Sequence, residues 1–496
     1  MLSVSHLYQF ALLGTQLLQV AASPALTDWP DGFTSMSEDE LVVALGNEPH
    51  ANSISREDLS RMTKEGFSCS ESKPCKIGCC GVLDDDGEGK CGSGPKLCGK
   101  DCISQCDWKS QCDPGWGMEY ASSSTCPLNV CCSKFGFCGI TEAFCRGYEV
   151  DRPSCPGGKS VNKRTVGYYQ AWNSQRPCGK MTPEEIPLGY YSHINFAFAF
   201  IDPDSFQITG MSDETAALYK RVLKLKQTQP NLQVWISVGG GAMNSPGPWQ
   251  KAFSVIGQFE HEQETFIDSL LYFMDAHGFD GVDLNWEYPG DLETGRLDAL
   301  GRGDGLSITL PTSYKHMKGY NIKELEQYLD WFNVMTYDFH GIWDVHTPTL
   351  ERQVYAHTNL TEIETKLDIL WRNNISASKV VMGLAFYGRS FTMSDSECKA
   401  AGCVFSDAGK AGECTNTAGI LSAREIKDII KNYEAVVSFD AKAAVKTVTW
   451  DGNQWVGYDD AQTLKLKLDY ANSRCLAGTM IWSIDMDDGT LSDALA

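Results

Sequence analysis

Residues 280–289 read DGVDLNWEYP. Polar side chains at 283, 285 and 287 interrupt an apolar, β-type run. Period-two alternation places Asp283, Asn285 and Glu287 on one face of one strand. Working outward, similar runs recur at 166–172, 192–200, 233–238, 305–310, 331–337, 379–385 and 477–483, which with 279–286 makes eight. Helical patterns separate most of them. The patterns at 213–227 and 259–277 are the plainest, the latter with Phe266, Ile267, Leu270, Leu271 and Met274 on one side. Eight β–α repeats predict an α/β fold, a (β/α)8 TIM barrel over 165–496. The long gap between the seventh and eighth strands predicts an inserted α+β lobe over 391–476. In such a barrel the C-terminal strand ends share one mouth, which would gather Glu287, Tyr337, Asp338 and Trp482.

The chain has 496 residues and a formal charge of −22. That charge argues against nucleic acid or anionic membranes as partners, and fits a neutral or cationic partner or plain solubility. Of 20 cysteines, 15 fall between Cys69 and Cys155. Such density implies disulfides made in an oxidising compartment. Zinc is the rival reading, but the adjacent pairs at 79–80 and 131–132 do not fit C-x-x-C ligand spacing. Residues 1–23 carry a short apolar run ahead of Ser-Pro-Ala and are expected to be a secretion signal, without the usual basic start. An acidic leader or pro-segment (24–68), a cysteine-rich segment (69–112), a second cysteine module (113–155) and a linker (156–164) complete the expected layout.

The segment DGVDLNWEYP resembles the D-x-x-D-x-D-x-E signature of family 18 glycoside hydrolases, the chitinase family. SHINFAFAF, WISVGG, GLSITLPTSY, WFNVMTYDFHG, VVMGLAFYGRSF and GTMIWSIDMDD resemble that family's other strands. Residues 126–145, CPLNVCCSKFGFCGITEAFC, resemble the hevein-like chitin-binding module. The combined layout resembles fungal secreted chitinases of the killer-toxin type.

The resemblance implies a secreted, extracellular and monomeric chitinase that binds chitin or chito-oligosaccharides and needs no cofactor and no metal. The substrate's own N-acetyl group is the nucleophile in this family. Glu287 would be the general acid and base, and Asp283 would sit beneath position 285 in a carboxylate relay, supported by Tyr168 and Ser237. Tyr337 would bind the acetamido oxygen, Met335 and Asp338 would line the subsite, and Trp482 would be its floor. In the module, Ser133, Phe135, Phe137 and Phe144 would form the sugar platform, unless the rings are simply its core.

Three departures stand out. Position 285, normally aspartate, is Asn285, which cannot offset a cationic intermediate and removes a like charge from beside Glu287. Residues 290–304 are short for a crossover between parallel strands. The aromatic stretch after the fifth strand reads Lys315-His316-Met317. These leave three functions open: a slowed chitinase, a chitin-binding pseudoenzyme, and an endo-β-N-acetylglucosaminidase.

Overall fold

The computed structural model describes residues 67–82, 89–289, 305–346 and 352–495. The expected signal, nearly all of the leader, and the short 290–304 crossover lie outside the described residues. Eight parallel strands form a closed barrel: β1 (Thr165–Gln170), β2 (His193–Ile201), β3 (Gln233–Gly239), β4 (Gly281–Asn285), β5 (Gly305–Leu310), β6 (Trp331–Val334), β7 (Val380–Ala385) and β8 (Gly478–Trp482). Pairing of β8 with β1 and of β2 with β3 completes the ring. The expected barrel is therefore present. Strand β5 pairs in parallel with β4 from Gly281↔Gly305 to Leu284↔Ile308, so the barrel closes across the short crossover.

The interior is layered. At the base, Trp235 and Trp331 stack at 4.4 Å, with His193 edge-on to both. Gly281 and Gly305 are required here, since a Cβ at either would sit within 2.5 Å of the Trp235 indole. Above this plug lies a polar layer centred on Asp283, and above that the mouth.

Helix α1 (Glu260–His277) buries Phe266, Leu270 and Met274, one residue per turn along one stripe. Glutamates in its first turn and left-handed Gly278 at its C-terminus complement its ends. The expected 213–227 helix is instead three short helices, Asp213–Ala216, Tyr219–Leu223 and Leu225–Thr228. Helix α2 (Leu360–Arg372) leads to β7.

The inserted lobe is an antiparallel sheet whose first strand is Tyr387–Met393 and whose last is Gln454–Tyr458, with helix α3 (Ala423–Asn432) against it. It starts earlier and ends earlier than the expected 391–476. Helix α4 (Ala461–Ser473) leads back into β8 and packs on it, as a barrel helix does. Cys178–Cys414 ties the lobe to the loop after β1.

All twenty cysteines are paired in ten disulfides, which removes the zinc reading. The second module is held to the base of the barrel, at the end of α2. Asn373 Nδ2 donates to the Leu128 carbonyl at 2.7 Å. Near the module's end, Arg152 makes a two-pronged pair with Asp368, at 2.7 and 2.8 Å. Cys155–Cys475 then closes a loop of 320 residues, a length at which a cross-link removes substantial unfolded-state entropy. Among the described residues no helix is long and apolar enough to cross a membrane.

Candidate active site

Strand β4 sets the site by its pleat. Asp283 points into the barrel and is fully buried. It accepts hydrogen bonds from Tyr168 Oη (2.8 Å), Ser237 Oγ (2.7 Å), Ser307 Oγ (2.8 Å) and Asn333 Nδ2 (3.0 Å). Burial pushes its pKa up, the four neutral donors pull it down, and the balance stays above the ordinary aspartate value. These donors come from β1, β3, β5 and β6, so the barrel as a whole builds this layer. Tyr168 and Ser237 sit where the sequence placed them. Ser307 and Asn333 were missed, although both are polar residues on apolar strands, the same signal that singled out β4.

One pleat higher, Asn285 is buried and its Oδ1 accepts from Thr309 Oγ1 at 2.6 Å. That orientation turns the amide N–H2 toward Glu287, and this contact lowers the glutamate's pKa. Burial and the negative charge of Asp338 outweigh it and raise Glu287 to about 7. The expected loss of a like charge beside Glu287 is therefore not the outcome, because Asp338 supplies that charge. Glu287 is half-buried and opens on the cleft.

Asp338 follows β6 in a left-handed conformation, φ 58°. Burial works against its charge. Arg389 overcomes this through bonds of 2.8 and 2.6 Å, aided by His357, and holds the carboxyl well below the usual range. Tyr387 Oη also donates to it, at 2.6 Å. Arg389 comes from the first strand of the lobe, about 50 residues downstream, and nothing in the local sequence announces the pairing.

The cleft above these groups encloses about 860 Å³. Trp482 lines it beside Tyr168 and stacks on Phe198 at 5.7 Å and 23°. Met335, Tyr337 and Asp338 line it as expected, joined by Trp172, Trp343 and Lys366, which were not foreseen. The Tyr337 hydroxyl contacts Met480 Sδ at 3.7 Å. His316, in the divergent stretch after β5, lies flat on Tyr288 at 4.3 Å and 10°. The wall there keeps a π-surface despite its unusual sequence.

The module behaves differently. Phe135, Phe137 and Phe144 are 0%, 2% and 4% exposed, and Ser133 is 2% exposed. The expected platform is not on the surface: its rings belong to a small apolar core shared with Phe67, Ile77, Ile103 and Trp108. Their burial follows from the preceding disulfide knot packing on that face.

Comparison with known proteins agrees with the geometry. The family model "Glycosyl hydrolases family 18" matches residues 164–487, and "Chitin recognition protein" matches 117–155. The chain is 30% identical to the killer toxin subunits alpha/beta of Kluyveromyces lactis over 410 residues, 75% of this chain and 34% of that protein. It spans about a third or less of the length of the curated relatives it matches. The Group IV chitinase of Ostrinia furnacalis, solved with allosamidin, superposes with a TM-score of 0.60 at 25% identity, covering 67% of this chain and 97% of that one. Human YKL-39, described as a pseudo-chitinase with retained chitooligosaccharide binding, superposes with a TM-score of 0.59 at 26% identity, covering 67% and 98%. A barrel closed around a buried aspartate, a glutamate raised at its mouth and a family match over most of its length lead to one assignment: the chain belongs to glycosyl hydrolase family 18.

Proposed function

We propose that this chain hydrolyses β-1,4-linked N-acetylglucosamine in chitin by substrate-assisted retention, at a rate limited by Asn285. The observation that carries the reading is Glu287, raised to about 7 at the open end of the cleft. A carboxyl near that value is protonated often enough to act as an acid and ionised often enough to act as a base. Glu287 gives its proton to the glycosidic oxygen as the C1–O bond breaks. The acetamido oxygen of the sugar attacks C1 and forms a cationic oxazolinium ring. Water then adds at C1 and returns a proton to Glu287, so two inversions give retention. Tyr337 holds the acetamido oxygen, and Trp482 carries the sugar's apolar face. Asp283, with its four donors, anchors the strand from which Asn285 and Glu287 project.

Asn285 is the weak point. It has no charge to offset the oxazolinium, and one lone pair of its oxygen is committed to Thr309. Losing one preorganised electrostatic contact costs on the order of 10²–10³ in turnover. The same residue favours a second reading, a chitin-binding protein of this fold that does not cleave. Release of soluble oligomers from colloidal chitin by the native chain, Asn285→Asp and Glu287→Gln separates them. Slow release, accelerated by Asn285→Asp and abolished by Glu287→Gln, supports hydrolysis. A folded native chain and Asn285→Asp that bind chitin and are both inert sink it. Free N-glycans as product would instead indicate an endo-β-N-acetylglucosaminidase. Ten disulfides support an extracellular site of action. A monomer remains the expected state, which light scattering tests.

A further inference from the structure

The chitin-recognition module presents an unusual face. A surface that grips a polysaccharide needs flat rings open to solvent, and those rings are commonly Trp or Tyr, whose polar edges reach water. Here the corresponding positions are three phenylalanines, and none is exposed beyond 4%. Ser133 is also withdrawn: its Oγ faces its own loop, accepting from the Phe135 and Phe137 amides at 3.3 and 3.4 Å. The cover is specific. Phe67, Ile77, Ile103 and Trp108 from the preceding segment join the three rings in one apolar cluster. Trp108 lies 6.0 Å from Phe137, and Ser93 Oγ donates to the Phe135 carbonyl at 2.9 Å.

The cover is also covalently independent of what it covers. Cysteines 69, 75, 79, 80, 91, 98, 102 and 106 pair only among themselves. Those at 112, 126, 131, 132, 138 and 145 do the same. Beyond Trp108, residues 109–111 are the chain link between the two knots, and no disulfide has to break for one to leave the other. Phenylalanine suits such a joint, because a ring inside an apolar contact has no polar edge to satisfy.

We propose that residues 67–82 and 89–108 are a lid seated on the sugar-binding face of the 112–145 module, so that in the intact chain chitin meets the cleft and not the module. The test is hydrogen exchange followed by mass spectrometry on the full chain carrying Glu287→Gln, so that added chitohexaose survives. With the sugar at about ten times its Kd, occupied segments exchange about tenfold more slowly. Cleft peptides around 285–288 and 335–343 are expected to slow, and 131–145 to stay unchanged. Slowing at 131–145 in this chain overturns the lid. Silence in the cleft as well would count against the proposed function and leave the lid standing. Adding Trp108→Glu, alone or with Ser93→Arg, is expected to open the face. Whichever variant speeds sugar-free exchange at 131–145 should then gain sugar-dependent slowing there. An opened face that gains none, or a face that neither variant opens, makes the contact an ordinary core and overturns the proposal.

Discussion

Two sets of aromatic side chains in this molecule sit in opposite circumstances. Around the cleft, Trp172 and Trp482 are partly open and Trp343 is 38% exposed, and all three line it. In the disulfide module, Phe135, Phe137 and Phe144 offer none. The residue class is the same, and the difference is what packs against it. Trp482 stands on a strand end, and Trp172 and Trp343 stand on short helical turns in the loops after β1 and β6, at the mouth where a barrel leaves space for a ligand. The module rings stand on a small knot that cannot bury enough surface alone, and a second knot covers them. Apolar surface finds the nearest partner, and in the module that partner is the chain itself.

The sharpest way to separate the two regions is Glu287→Gln. It keeps the shape of the cleft and removes the proton. Turnover of chito-oligosaccharides should fall by about 10²–10⁴, the span of general acid–base catalysis, while binding to the cleft persists in calorimetry. Retained turnover would mean that the chemistry lies elsewhere and that the comparison of a working cleft with a closed module is misplaced.

Phe137→Ala probes the other side. Truncating a buried Phe costs about 3–5 kcal/mol. Proteolysis should nick the 67–145 region faster, with kcat and KM on soluble chito-oligosaccharides unchanged. A variant that keeps its protease resistance and instead loses affinity for insoluble chitin would return Phe137 to a sugar platform.

The barrel was legible in the sequence because its signal is repeated. Eight apolar runs spaced by helical patterns need few alternative explanations, and the pleat alone placed Asp283, Asn285 and Glu287 on one face. What was not legible depends on closure. Ser307 and Asn333 reach Asp283 only because β5 and β6 curve around the same axis. Arg389 reaches Asp338 only because the lobe folds back over the mouth. Cysteine spacing marked two knots without telling which face of one meets the other, so the fate of the three phenylalanines could not be read. The charge beside Glu287 shows the same limit: the sequence suggested that it was lost with Asn285, whereas Asp338 provides it through space.

The smallest effect, a shifted pH limb, is the most discriminating about Asn285. Asn285→Asp should raise kcat by about 10²–10³, and it should also move a pH limb. With Glu287 at about 7, kcat/KM should be flat in acid and fall about tenfold per pH unit above 7, since the protonated form is the acid. An aspartate at 285 withdraws the amide contact that now lowers Glu287 and places a second anion beside it. Both changes disfavour ionisation, so the alkaline limb should shift upward by about one pH unit. The two carboxyls would then titrate as a pair, and the shift belongs to that pair. A faster variant with an unmoved limb would mean that Asn285 acts on the oxazolinium alone. A limb that moves down would show that the introduced carboxyl is itself protonated and donates to Glu287, so that no second anion sits beside it. The pH profile therefore tests the hydrogen-bond direction at 285 separately from the rate.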